Sequence, residues 1–170
     1  EEAEARRSEG TQRFAKKMQR VVVPEHIEAM ARDAVDSALT VHRTLGPGLL
    51  ESAYRDCLQL ELSARGHHID REQVLPITYR GQIVPRAYRT DLLVDRLHLI
   101  ELKAIEAIQP VHRVQLSTYL RLQRLPLGLL INFNVPLLKD GLHRILNLDF
   151  QIEVPASSLA NLGAPSRLRV

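Results

Sequence analysis

The segment Arg89-Thr90-Asp91-Leu92-Leu93-Val94-Asp95-Arg96-Leu97-His98-Leu99-Ile100-Glu101-Leu102-Lys103 decides how the rest of the sequence is read. Two apolar runs, 89–94 and 97–104, flank the polar pair Asp95-Arg96, which predicts neighbouring strands with a tight connection. Their near-continuous apolar content predicts central strands covered on both faces. Glu101 and Lys103 are two positions apart, so on a strand they point to the same side. Burying a carboxylate without a partner costs on the order of several kcal/mol, so apolar strands rarely hold one idly. A divalent metal ion offsets that cost. Two carboxylate oxygens, a backbone carbonyl and waters suit a Mg²⁺-type ion. An ammonium beside it can position or help deprotonate an attacking water, or stabilise negative charge in a phosphoryl transition state. A Glu-x-Lys triplet alone is more often a structural ion pair. Asp91 on the preceding strand shifts the balance toward chemistry.

That reading imposes a register. A two-residue turn at Asp95-Arg96 would pair Val94 with Leu97 and put Asp91 and Glu101 on opposite faces of the sheet. A three-residue loop, Asp95 to Leu97, pairs Val94 with His98 and sets Asp91 across from Glu101. A one-residue bulge would do the same. The odd loop or bulge is therefore predicted.

Upstream, Ile27, Met30, Ala31, Ala34, Val35, Ala38, Leu39 and Val41 recur at helical spacing, predicting a helix from Pro24 to about Thr44. Leu45-Gly46-Pro47-Gly48 breaks the chain. A second helix is predicted over 49–64, ended by Arg65-Gly66. A strand over 73–79, a hairpin turn at Arg80-Gly81 and a returning strand from Gln82 follow. Downstream, Pro110 opens a third helix to about Gln123, a buried strand is predicted over 127–133, a loop over 134–140 and a last strand over 141–148. The predicted fold is α+β, a mixed central sheet flanked by helices. Residues 1–23 read as a polar N-terminal extension, 24–150 as the folded domain and 151–170 as a tail.

The 170 residues suffice for one domain with a real core. No apolar run is long enough for a membrane span, and no secretory signal pattern opens the sequence. Cys57, the single cysteine, cannot form an internal disulfide, and a reducing, cytoplasmic setting is expected. It sits on the apolar stripe of the second helix, as for core packing. A net charge of +3 is compatible with a polyanionic partner without demanding one. Tryptophan is absent and aromatics are 4%, which supplies a base-stacking platform poorly. His42 and His67-His68 lack companions at metal-ligand spacing and read as surface or capping residues. Arg86, Arg89, Arg113, Arg121, Arg124, Lys139 and Arg144 are candidates for a phosphate-contacting rim.

Several motifs in order make the site more specific. Asp91 followed by Glu101-x-Lys103 resembles the signature of the PD-(D/E)XK nuclease superfamily, although Thr90 stands where the signature proline would precede Asp91. Gly48-Leu49-Leu50-Glu51-Ser52-Ala53-Tyr54 is similar to the motif that names the GxxExxY branch of that superfamily. Gln115-Leu116-Ser117-Thr118-Tyr119 resembles the Gln-x-x-x-Tyr helix of exonuclease-like members, and Leu129 to Gly141 reads like the C-terminal part of the branch. The likeness covers about residues 25–148. It implies a metal-dependent nuclease acting on nucleic acid, DNA first, with Mg²⁺ or Mn²⁺. It implies Asp91 and Glu101 as metal ligands, Lys103 as the catalytic lysine and Glu51 as an additional acidic ligand from the first core helix. Gln115 and Tyr119 would line the site from the opposing helix; they are four apart and share a face, with His112 beside them as a surface residue. A homodimer acting on two strands is left open. The rival readings are a non-catalytic nucleic-acid-binding or regulatory module that keeps the fold, and a structural dimerising domain.

Overall fold

The computed structural model describes residues 22–150; the N-terminal extension up to residue 21 and the tail at 151–170 lie outside the described residues. The elements are α1 (Glu25–Leu45), α2 (Glu51–Ala64), β1 (Ile69–Arg71), β2 (Val74–Tyr79), β3 (Gln82–Arg89), β4 (Leu92–Val94), β5 (His98–Lys103), α3 (Pro110–Gln123), β6 (Leu127–Asn132), α4 (Leu138–Gly141) and β7 (Leu142–Leu146). Five strands form one sheet in the order β1-β4-β5-β6-β7, and β2 and β3 form a separate two-stranded ribbon. β5 and β6 run parallel, while β1 with β4, β4 with β5 and β6 with β7 are antiparallel. The fold is the expected α+β arrangement, a mixed sheet flanked by helices.

Alternation along the strands supplies two apolar faces. Leu92, Val94, Ile100, Leu102, Leu129 and Ile131 pack with Ala34, Ala38, Tyr54, Leu58 and Leu62 of α1 and α2. Leu93, Leu99 and Leu130 pack with Leu116 and Leu120 of α3 on the other face. The central strands are therefore covered on both sides, as their composition predicts.

The register is the odd one. Leu92 pairs with Ile100, Leu93 with Leu99 and Val94 with His98, so three residues, Asp95 to Leu97, make the connection. Asp95 (φ 48°) and Arg96 (φ 60°) both take left-handed backbone conformations to close it. One step beyond the last pair, Asp91 stands across from Glu101.

Other boundaries differ from the sequence pattern. Pro24 is the N-cap of α1 rather than its first helical residue, and its carbonyl accepts from the Ile27 and Glu28 amides. β3 runs through Pro85 to Arg89, so Arg89 belongs to the ribbon, and Thr90 and Asp91 form the link to β4, which begins only at Leu92. The cause is the Thr90 amide, which donates to the Gln73 carbonyl and turns the chain before β4. β1 is a short polar edge strand with no periodicity long enough to read. The loop predicted over 134–140 contains the start of the one-turn helix α4. Gly141 fits there because an added Cβ would lie 2.2 Å from the Asn132 carbonyl oxygen.

Candidate active site

The carboxylates gather at the C-terminal end of β5. The Leu102 amide donates to Asp91 Oδ2 at 2.8 Å, which fastens Asp91 to the neighbouring strand. Asp91 Oδ1 lies 3.4 Å from Arg55 Nη1 of α2, and the same guanidinium nitrogen donates to Glu72 Oε1 at 2.8 Å. Glu101 is only 3% exposed. Its Oε1 accepts from Lys103 Nζ at 2.6 Å and from Gln115 Nε2 at 3.3 Å. Its Oε2 is buried without a hydrogen-bond partner. Lys103 Nζ also donates to the Leu102 carbonyl at 2.9 Å. Gln115 Nε2 donates to the Tyr119 hydroxyl at 2.9 Å, and the Tyr119 ring stacks on Tyr88 with centroids 4.2 Å apart. Glu51 is the first residue of α2, at the positive end of the helix dipole.

The electrostatics couple these groups. Burial pushes the Glu101 carboxyl up, the Asp91 charge pushes it further, and Lys103 opposes both, leaving it at about 7. Glu51 is also raised, first by burial; Asp91 adds to the rise while Lys103 and Arg55 hold it back. Burial acts to depress Lys103, but Glu101, Asp91 and Glu51 outweigh it, so the ammonium is held above its ordinary value. Three carboxylates thus feel one another through a partly water-excluded region served by one ammonium and one guanidinium.

That arrangement fits a hard divalent cation. The orphaned Glu101 Oε2 is an oxygen donor without a partner in a place where an unsatisfied polar atom is costly. Mg²⁺ binds through one or two carboxylates and keeps several waters. Among the described residues no three His, Cys, Asp or Glu side chains form a ready cage, so the fit rests on Asp91 and Glu101 with Glu51 in reserve.

The structure thus brings Asp91, Glu101, Lys103, Gln115 and Tyr119 into one bonded network and leaves Glu51 linked to it through charge alone. Tyr54 does something different. It is fully buried, donates to the Gly46 carbonyl at 2.6 Å, accepts from the Leu49 amide at 3.1 Å and stacks on Phe133 at 4.5 Å. It therefore fixes the Gly46–Leu49 loop that delivers Glu51. Arg55 joins the network without standing out in the sequence. Its one signal is position, four residues after Glu51 and so on the same helix face. Of the histidines expected at the surface or in caps, His68 is exposed, whereas His42 is buried and His67 is half-buried. His42 is buried against the Val135 carbonyl at 2.8 Å. His67 bridges Asp95 at 2.6 Å and Asp33 at 3.0 Å. His112 accepts from the Gln109 amide and caps α3. Of the candidate rim, Arg144 is held by both oxygens of Glu28, Arg113 pairs with His143 at 2.9 Å and Arg89 lies 3.4 Å from Glu72. A cleft of about 830 Å³ between α3 and β7 is lined by Arg113, Arg121 and Arg144 and by none of the acidic site residues.

Residues 28–145 match the family model described as PD-(D/E)XK nuclease superfamily. No curated protein and no solved structure matches the chain. Among the described residues no helix is long and apolar enough to cross a membrane.

Proposed function

The chain belongs to the PD-(D/E)XK nuclease superfamily, and from that premise we propose that it hydrolyses phosphodiester bonds in DNA with a divalent cation, Mg²⁺ or Mn²⁺. The observation that carries this reading is the odd register, which sets Asp91 across from Glu101, together with the partnerless Glu101 Oε2. The Gly48 to Tyr54 motif favours the GxxExxY branch.

Asp91 and Glu101 would hold the cation, with Glu51 completing its shell directly or through water. When bound, the cation would acidify a water and neutralise charge on the scissile phosphate. The remaining work falls to the chain's own groups. The Lys103 ammonium, 2.6 Å from Glu101 Oε1, is placed to donate to a phosphate oxygen as negative charge builds there. Glu51, its carboxyl raised by burial, suits acceptance of a proton from the attacking water. Water oxygen bonds to phosphorus, the P–O ester bond breaks, and the leaving oxygen takes a proton from solvent. Gln115 orients Glu101 by donating to Oε1, and Tyr119 fixes Gln115.

The test pairs cleavage with binding. Supercoiled, linear and single-stranded DNA and RNA are incubated with Mg²⁺, Mn²⁺ or chelator, using wild type and Lys103→Ala. Loss of one charge-stabilising donor is expected to slow cleavage by about 10²-fold or more. Calorimetric titration of Mn²⁺ should show binding that Asp91→Asn and Glu101→Gln each weaken. Cleavage by Lys103→Ala at the wild-type rate would sink the assignment. Mn²⁺ affinity untouched by both carboxylate changes would do the same.

A further inference from the structure

The β2–β3 ribbon stands outside the five-stranded sheet, and its two strands contact mainly each other. Every residue over 78–87 is exposed, including Tyr79, Ile83 and Val84. An isolated two-stranded ribbon is marginal in water, so one that projects uncovered invites a partner. Leu75 pairs with Tyr88 and Ile77 with Val84, which leaves Pro76 facing Pro85, Arg86 and Ala87 across a bulge. Both prolines lack the amide a ladder needs, and Arg86 has φ 55°. The outer part, Ile77 to Val84, therefore joins the root through an interrupted ladder. Its tip, Arg80 (φ 49°) and Gly81 (φ 78°), is a two-residue turn of the mirror-image type that matches strand twist.

Charge on the ribbon is one-sided. Residues 74–89 contain Arg80, Arg86 and Arg89 and no Asp or Glu. Arg89 lies near Glu72, but among the described residues neither Arg80 nor Arg86 has a carboxylate partner, and Arg80 sits over the Tyr79 ring. The root, by contrast, is fixed beside the carboxylates. Tyr88 stacks on Tyr119 and accepts from Gln123, and Tyr119 is bonded to Gln115, which reaches Glu101.

The geometry points to the β2–β3 ribbon as an arm that grips double-stranded DNA, lying in the major groove beside the strand presented to Glu101 and Lys103. This rests on the nuclease reading for the position of the scissile strand. A major groove admits a two-stranded β-ribbon. Arg80 and Arg86 meet phosphates along its walls, and Tyr79, Ile83 and Val84 supply apolar contact to base edges such as thymine methyls. A ribbon carrying only positive charge repels the same ribbon of a second copy, which favours a polyanion as occupant. The bulge at Pro76 and Arg86 lets the arm follow the groove while Tyr88 stays fixed.

Binding is read without turnover, by fluorescence anisotropy in chelator, on a short duplex and on one of its strands across a salt series. Arg80→Gln/Arg86→Gln is expected to weaken duplex binding about tenfold or more and to flatten the salt slope by about 2, near 0.9 for each phosphate no longer neutralised. Single-strand binding should change much less. Arg80→Lys/Arg86→Lys should keep the slope, and equal melting temperatures for all variants show that the body folds. An unchanged affinity and slope, equal losses on duplex and single strand, or no duplex binding by the wild type would each overturn the arm. Hydrolysis of bis(p-nitrophenyl) phosphate by the wild type with Mn²⁺ reads the chemistry separately. A chain that grips duplex through these arginines yet cleaves neither DNA nor that diester refutes the nuclease reading and upholds the arm.

Discussion

Tyr54→Phe separates architecture from chemistry at the motif that contains Glu51. The ring stays, so the stack on Phe133 at 4.5 Å and the apolar burial are kept. The hydroxyl goes, and with it the bonds to the Gly46 carbonyl at 2.6 Å and from the Leu49 amide at 3.1 Å. Each bond contributes about 1 kcal/mol net, and a buried group left unpaired costs about 1–3 kcal/mol. Gly46 is half-buried and Leu49 exposed, so water reaches part of the vacated positions. The cost should therefore sit near 1.5 kcal/mol rather than at the sum of both penalties. With a denaturant slope of about 2 kcal/mol/M, the urea midpoint falls by about 0.7 M. Tyr54→Ala, which also empties the ring's place, should cost about 3–5 kcal/mol. Because the hydroxyl touches the loop and no carboxylate, Tyr54→Phe should leave Mn²⁺ affinity and cleavage within a few-fold of wild type at a temperature where both are folded. A wild-type urea midpoint would refute the claim that this hydroxyl pins the loop. Normal stability with cleavage lost by about 10²-fold would place the hydroxyl in the chemistry instead.

Two further substitutions probe the body. Burial depresses His98 to about 4; the Leu127 backbone and Glu28 oppose this, while Arg144 and His67 add to it. It is neutral in the folded chain and titrates near its ordinary value when unfolded, so its own contribution to stability is flat above about pH 6.5 and falls as pH drops toward 4. Between about pH 7 and pH 5 that contribution should fall by roughly 2 kcal/mol, while Glu101, raised to about 7, acts in the opposite sense. By urea titration the wild type should therefore lose roughly 2 kcal/mol relative to His98→Leu over this range, and identical pH profiles for the two would refute the assignment. Gly141→Ala forces a Cβ to within 2.2 Å of the Asn132 carbonyl oxygen, a backbone atom that cannot swing aside. It should cost about 2 kcal/mol or more, and a wild-type melting curve would show that α4 gives way freely.

The long periodic elements are legible in the sequence. α1, α2 and α3 and the strands β2, β5 and β6 carry their spacing openly, and the carboxylates in β5 stand out because their neighbours are Leu and Ile. Short elements are not legible. β1 has three residues of mixed polarity and exists because β4 offers it an edge. The extension of β3 past Pro85 is hidden by the proline itself, which the structure accommodates in a bulge. Arg55 and His67 are hidden for one reason: each acquires its role from partners distant in the chain, Glu72 and Asp91 for the first, Asp33 and Asp95 for the second. A single charged residue on a helix or in a turn carries no local pattern that names such partners.

The register that aligns Asp91 with Glu101 is not enforced by the apolar pattern of β4. Leu92-Leu93-Val94 is buried on both faces, so a one-residue slip exchanges one apolar set for another and the packing penalty that normally pins a strand is weak. The connection itself does the selecting. Asp95 donates its amide to the His68 carbonyl at 2.8 Å, accepts from the His68 amide at 2.8 Å and holds His67 at 2.6 Å. His67 in turn is tied to Asp33 of α1. Well away from the carboxylates along β4 and β5, the loop is thus anchored to two other segments, and its left-handed residues at Asp95 and Arg96 make the three-residue closure the one those anchors permit. A site that depends on two carboxylates sharing a face therefore depends on a histidine and two aspartates that never approach it. Their contribution is to remove the slipped register, in which Asp91 and Glu101 would face opposite sides of the sheet and Glu101 would be left buried with Lys103 and Gln115 but no second carboxylate.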